Sequence, residues 1–160
     1  MNHINTSKNP FPGIRSFKTD EHHLFFGRES QVEKIISVLD ENHFLALVGY
    51  SGSGKSSLIK AGVIPNILKG KIQNEKDWMI SVFKPGDNPL QSFFLKYTET
   101  YNKKATERNA PLITLSESED LLCSSPDSLL KAHQKLDSAP WLVVIDQFEE
   151  IFRYNRTDSI

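Results

Sequence analysis

The run Gly49-Tyr50-Ser51-Gly52-Ser53-Gly54-Lys55-Ser56 fills every fixed position of G-x-x-x-x-G-K-[ST], and no other stretch restricts the chain so strongly. Glycines at this spacing let the backbone turn tightly enough for successive amide N–H groups to face one point, where phosphate oxygens bind. The chemistry also calls for a strand before the loop and a helix after it, because the helix N-terminus adds partial positive charge. Both are predicted. Residues 44–48, Phe44-Leu45-Ala46-Leu47-Val48, form an unbroken apolar run that suits a strand covered on both faces, and a helix is expected from Lys55. In this scheme Lys55 reaches the β- and γ-phosphates and Ser56 offers its hydroxyl to Mg²⁺. Gly49, Tyr50, Ser51, Gly52, Ser53, Gly54 and Ser57 complete the nucleotide cradle. A serine-glycine linker with a chance lysine would not carry those flanks.

A second chemical element is Leu142-Val143-Val144-Ile145-Asp146-Gln147-Phe148-Glu149-Glu150. An aspartate at the carboxyl end of a buried strand lies where open α/β sheets place their ligands, so Asp146 can serve Mg²⁺ directly or through water. Glu149, or alternatively Glu150, would orient the attacking water. Alone, such a run is weak evidence, since many strands end in a solvated or helix-capping acid. Behind an intact phosphate loop it reads as the other half of the same site.

The remaining pattern supplies the scaffold. Val32, Ile35, Ile36 and Leu39 fall on one face of a helix predicted over 29–41. Gly62 reads as a C-cap and Pro65 biases Ile64 away from helix, so the helix from Lys55 should end there or kink before Leu68. Residues 78–83 form a second predicted strand, followed by turn chemistry in Lys84-Pro85-Gly86-Asp87. A helix from Pro89 would place Leu90, Phe93, Phe94 and Tyr97 together, whereas 102–120 reads as loop with an ill-defined helix start. Ser125-Pro126 opens a further predicted helix through Leu129, Leu130 and His133. Residues 141–145 form a third buried strand. Strands alternating with helices give an α/β fold built around a mainly parallel sheet.

Composition sets the limits. With 160 residues, 38% apolar and 24% charged, the chain has material for one globular domain. A formal net charge of −1 gives no reason to expect direct nucleic-acid binding or an anionic membrane as partner. One cysteine, Cys123, permits no intramolecular disulfide and suits a reducing compartment, so the cytoplasm is expected. No apolar run approaches the about 18 residues a membrane span needs. His22-His23, His43 and His133 lack the partners of a metal site, and Lys103-Lys104 with Arg108 reads as a solvated helix face. The absence of an Asn-Lys-x-Asp segment disfavours guanine. A nucleotide-binding interaction module with little turnover, and a phosphotransferase using the same loop, stand as alternatives to an ATP-driven switch.

Several segments together resemble the novel STAND NTPase family, a P-loop group related to the AAA-type ATPases. They are Asn9-Pro10-Phe11-Pro12-Gly13-Ile14-Arg15-Ser16-Phe17, Phe25-Phe26-Gly27-Arg28-Glu29, the phosphate loop with Ser57-Leu58-Ile59-Lys60-Ala61-Gly62-Val63-Ile64-Pro65, Lys84-Pro85-Gly86, and Asp146-Gln147-Phe148-Glu149-Glu150-Ile151-Phe152. Ser16 and Lys84 stand where the family often has proline and arginine. The resemblance implies a three-layer α/β/α P-loop NTPase domain over 10–160 behind a flexible tail at 1–9. It places Phe26, Gly27 and Arg28 beside the adenine, Asp146 at Mg²⁺ and Glu149 at hydrolysis. It implies an ATP-dependent signalling switch that works with other protein domains or subunits and assembles in a nucleotide-dependent way. In the superfamily a later strand carries a residue that senses the γ-phosphate, so the layered sheet is expected to be incomplete at the C-terminus of this sequence.

Overall fold

Helix α1, Glu29–Asn42, forms as its periodicity predicts: Val32 and Ile35 are buried, and His43, in the left-handed region at φ 57°, closes the helix by donating its N–H to Leu39 O. The computed structural model that contains it describes residue 13, residues 15–125 and residues 139–154. These fall into two units, Met1–Lys76 and Asp77–Ile160, each described by itself.

In the first unit, a 3₁₀ turn at Thr19–Leu24 precedes α1. Helix α2 follows the glycine-rich loop and runs through three stretches, Lys55–Ser57, a π-helical Leu58–Val63, and Ile64–Leu68. It neither stops at Gly62 nor breaks at Pro65. A proline lacks its N–H and its ring collides with the carbonyl four residues back. The turn just ahead of Pro65 is widened, with Ile64 N–H reaching Ile59 O five residues back, and a widened turn gives the ring room. Gly62 is therefore inside the helix rather than its C-cap. A Cβ there would lie 2.6 Å from Val32 Cγ2 and 3.3 Å from Phe25 Cε1, so glycine permits the close approach of α1 and the preceding turn. Leu58, Ala61, Val63, Ile64, Ile67 and Ile72 are buried with Val32 and Ile35 as the core of this unit.

The predicted strand over 44–48 does not form. The segment has no regular secondary structure, and Phe44 and Val48 are 76% and 90% exposed. An apolar run signals a preference for burial, but a strand also needs a neighbouring chain to bond its N–H and C=O groups. The one sheet among the described residues has two strands, and neither is this segment.

That sheet belongs to the second unit. Strand β1, Met79–Phe83, pairs in parallel with β2, Trp141–Ile145, in register from Met79 opposite Trp141 to Phe83 opposite Ile145. Helix α3, Pro89–Glu107, packs on β1. Asn88 caps it by accepting from Gln91 N–H at 3.2 Å, with Pro89 in the first turn. Its buried face is Phe94, Tyr97, Tyr101 and Ala105, while Leu90, expected on that face, is 66% exposed. Tyr97, Tyr101 and Ala105 join Met79 in the core, and the Tyr97 ring sits 5.1 Å from that of Trp141. Buried Ser81 ties the layers, bonding Thr100 Oγ1 at 3.0 Å and accepting from Trp141 Nε1 at 3.0 Å.

Residues 102–120 are more ordered than a loop. Helix α3 continues to Glu107, and α4, Leu115–Cys123, begins at a capping box in which Thr114 and Glu117 bond each other's backbone. Asn102 bridges to Ile113, donating to its carbonyl and accepting from its N–H, both at 2.8 Å. Of the cations read as a solvated face, Lys103 is exposed, whereas Lys104 and Arg108 are half-buried and both clasp Asp77, and these two cations hold its carboxyl below the usual range. The helix expected from Ser125-Pro126 lies outside the described residues. Strand β2 forms where predicted but is only half-buried, with Ile145 41% exposed. A short 3₁₀ turn, Phe148–Glu150, and a final helical turn α5, Ile151–Tyr154, complete the chain described. The architecture is a mixed helix and strand arrangement with a small parallel sheet, compatible with the α/β class.

Candidate functional site

The glycine-rich loop closes on its own lysine. Lys55 Nζ donates to Gly49 O at 2.7 Å and Tyr50 O at 2.9 Å, which ties the start of the loop to the first residue of α2. Two of the ammonium's three donors are thereby used, and the third is left for an incoming oxygen. Gly52 and Gly54 take φ of 77° and 84°, a left-handed region that side chains strongly disfavour, and Ser53 N–H bonds Tyr50 O at 3.2 Å between them. The first bond of α2 runs from Leu58 N–H to Gly54 O at 2.8 Å. The amides ahead of it stand at the positive end of the helix, where an anion is favoured.

Two contacts reach the loop and the start of α2 from outside. Arg28 Nη2 donates to Ser53 O at 3.2 Å. Ser57 Oγ accepts from Phe17 N–H at 3.1 Å, so this cradle residue also anchors the segment that precedes α1. Gly27 N–H bonds Glu29 Oε1 at 3.0 Å, and this bond, after that of Glu29's own N–H, lowers the Glu29 carboxyl. Phe26 projects into solvent at 75% exposure. Beside Arg28 lies a cleft of about 210 Å³, bounded by Phe25, Glu29, Val32, Gly62 and Asn66. The loop, Arg28 and the cleft thus belong to one unit.

The acidic group belongs to the other. Asp146 follows β2, half-buried, and its N–H extends the ladder by bonding Phe83 O at 2.8 Å. Gln147 in the left-handed region, φ 60°, turns the chain into Phe148–Glu150. The two glutamates differ. Glu150 is half-buried and accepts from Gly86 N–H at 3.2 Å, tying it to the Lys84-Pro85-Gly86 turn, whereas Glu149 is exposed. Sequence reasoning did not separate them, because the distinction depends on a contact 64 residues away. It named Ser57 and Arg28 as nucleotide contacts but gave no sign of the bonds they make to Phe17 N–H and Ser53 O, for which a single sequence carries no signal.

Each unit carries an oxygen donor of the kind the expected metal takes. Taken singly, the Ser56 hydroxyl in the first unit and the Asp146 carboxylate in the second are hard oxygen ligands of the type Mg²⁺ takes, a few at a time with water filling the rest. Among the described residues no group of three or more histidine, cysteine and acidic side chains could hold a metal ion, and no helix is long and apolar enough to cross a membrane.

Compared with known families, the chain matches the model described as Novel STAND NTPase 1 over residues 10–159, from the segment before the 3₁₀ turn through the acidic group. No curated protein and no solved structure matches it significantly.

Proposed function

This chain belongs to the novel STAND NTPase 1 family, and from that premise we propose that it is a regulatory switch that binds Mg²⁺-ATP and hydrolyses it. The observation that carries the proposal is Lys55 drawn across the loop onto Gly49 O and Tyr50 O, at the start of a helix and directly after the left-handed Gly52 and Gly54. A glycine-rich turn of this kind ahead of a helix can present N–H donors and one cation to a phosphate.

In this reading residues 10–160 act as one NTPase domain of three-layer α/β/α type, and both halves of the site serve one nucleotide. The family match spans both, which supports treating them together. Lys55 and the amides of 49–57 bind the phosphates. Ser56 and Asp146 hold Mg²⁺, which when bound neutralises phosphate charge. Phe26, Gly27 and Arg28 flank the base, with the cleft beside Arg28 available to it. Glu149 orients water and accepts its proton, a role supported by its exposure, while Glu150 is engaged by Gly86. The switch works in the cytoplasm with partner domains or subunits, and nucleotide governs its assembly.

The test is thermal and calorimetric. A ligand at 100 times its dissociation constant stabilises by about 2.7 kcal/mol, so saturating Mg²⁺-ATP should raise the melting temperature and Lys55→Ala should abolish the rise. Asp146→Asn should weaken the Mg²⁺ dependence of binding. Glu149→Gln should keep binding and slow hydrolysis by about 10²–10⁴. An unchanged melt and a flat titration of the unaltered protein would refute the phosphate-loop reading.

A further inference from the structure

We propose that residues 15–28 form a strap that responds to nucleotide, tightening when the phosphate loop is filled and loosening when it empties. The inference rests on reading that loop as a nucleotide site. Two hydrogen bonds tie the ends of the strap to the loop and the start of its helix. At one end Phe17 N–H bonds Ser57 Oγ at 3.1 Å, and at the other Arg28 Nη2 bonds Ser53 O at 3.2 Å. Both acceptors lie within five residues of sequence, on either side of Lys55 and Ser56.

Between its ends the strap has structure of its own. Arg15 grips Glu21 through two bonds of 2.5 and 2.7 Å, and Lys18 N–H donates to the same carboxylate at 2.9 Å, which shapes the turn Thr19–Leu24. The Phe17 and Phe25 rings meet edge-on at 5.8 Å, and Phe25 lies against Gly62 of α2. The turn and Phe25 pack on α2, but the strap's internal contacts do not depend on the loop. Its two attachments do.

Each attachment is a single hydrogen bond, one exposed and one partly buried. Such a bond shifts an equilibrium by only about two- to tenfold, which suits a device meant to open and close. A nucleotide that fixes the amides of 53–57 fixes both acceptors, and so favours the docked strap. Linkage requires the converse: a docked strap must strengthen nucleotide binding by the same factor.

The experiment measures amide hydrogen exchange across 15–28 in the intact protein, with and without Mg²⁺-ATP, while calorimetry on the same samples reports nucleotide affinity. Glu21→Gln and Arg15→Gln open the internal clasp without touching the loop. Saturating Mg²⁺-ATP should slow exchange at 16–27 by about two- to tenfold beyond any change in α1. Each variant should speed strap exchange and weaken ATP affinity by a comparable factor. If ATP binds and strap exchange is unchanged, or slows no more than α1 does, the inference falls and the nucleotide reading stands. If calorimetry shows no binding, both fall.

Discussion

Replacing a helical glycine by alanine ordinarily stabilises a protein by about 1 kcal/mol, because alanine costs less backbone entropy. At Gly62 the structure reverses the expected sign. The new Cβ would stand 2.6 Å from Val32 Cγ2, a separation at which something must shift. Val32 is 6% exposed and β-branched within α1, so its χ1 is confined largely to one rotamer and the methyl has nowhere to turn. Overpacking of this kind costs about 1–3 kcal/mol, which leaves Gly62→Ala destabilising by up to about 2 kcal/mol after the helix gain. Urea denaturation would report this as a lower midpoint at unchanged slope. The cause can be isolated with Val32→Ala, which deletes the obstructing methyl. In that background Gly62→Ala should become neutral or stabilising, with a coupling of about 0.5–3 kcal/mol across the cycle. A left-handed capping glycine would instead lose the same stability in both backgrounds. Either that result, or a Gly62→Ala protein more stable than the parent, would refute the packing account.

Three further outcomes follow from named contacts. Ser81→Ala leaves Trp141 Nε1 and Thr100 without their shared partner inside a buried layer, and should cost about 1–3 kcal/mol in denaturant unfolding; no loss would mean that the network is idle. Glu150→Ala removes the acceptor of Gly86 N–H and should lower stability by about 0.5–1.5 kcal/mol, while Glu149→Ala should not, as scanning calorimetry of the two would show. The Glu21 carboxyl is lowered from 4.5 to about 2, first by the Arg15 bond and then by Lys18 N–H. A depressed carboxylate stabilises above its unfolded pKa and loses that contribution as pH falls through the folded one, so the strap turn should stay intact above pH 4.5 and weaken toward pH 2. The Lys18 amide shift should follow that titration, and Glu21→Gln should remove it.

What the sequence made legible was local. The periodicity of Val32, Ile35 and Leu39 placed α1, and the apolar runs at Met79 and Trp141 placed both strands of the sheet, because each signal lies within one element. The tight glycine-rich turn ahead of Lys55 was legible for a similar reason, as its glycines and lysine act on backbone a few residues away. The segment at 102–120 was misread although one local signal was present: Thr114-Leu115-Ser116-Glu117 is a capping box. Its other polar residues look like loop until their partners are known, since Asn102 answers Ile113 and Lys104 answers Asp77. Gly62 misled because a glycine near a proline resembles a helix end, and only the nearness of Val32 shows a different need. The run at 44–48 misled in the opposite direction. Its hydrophobicity was read correctly, but hydrophobicity does not provide a strand with a neighbour.

Lys55 carries two roles that a single substitution would confound, and the structure indicates how to part them. Its ammonium holds the carbonyls of Gly49 and Tyr50, and in the proposed function it also meets phosphate. Lys55→Ala therefore slackens the loop and removes a ligand contact at once. The two effects differ in what they require. Slackening needs no nucleotide, and since both bonds are exposed, water replaces them at little cost; melting of the nucleotide-free variant should stay close to that of the parent. The phosphate contact is lost only when nucleotide is present, so the about 2.7 kcal/mol of ligand stabilisation should vanish from the variant alone. A large drop in melting without nucleotide, with the ATP-dependent rise preserved, would make Lys55 a strut of the loop and not its phosphate ligand. The seat of phosphate recognition would then have to be sought in the backbone amides of 51–57 and in Arg28, which Lys55→Ala leaves in place.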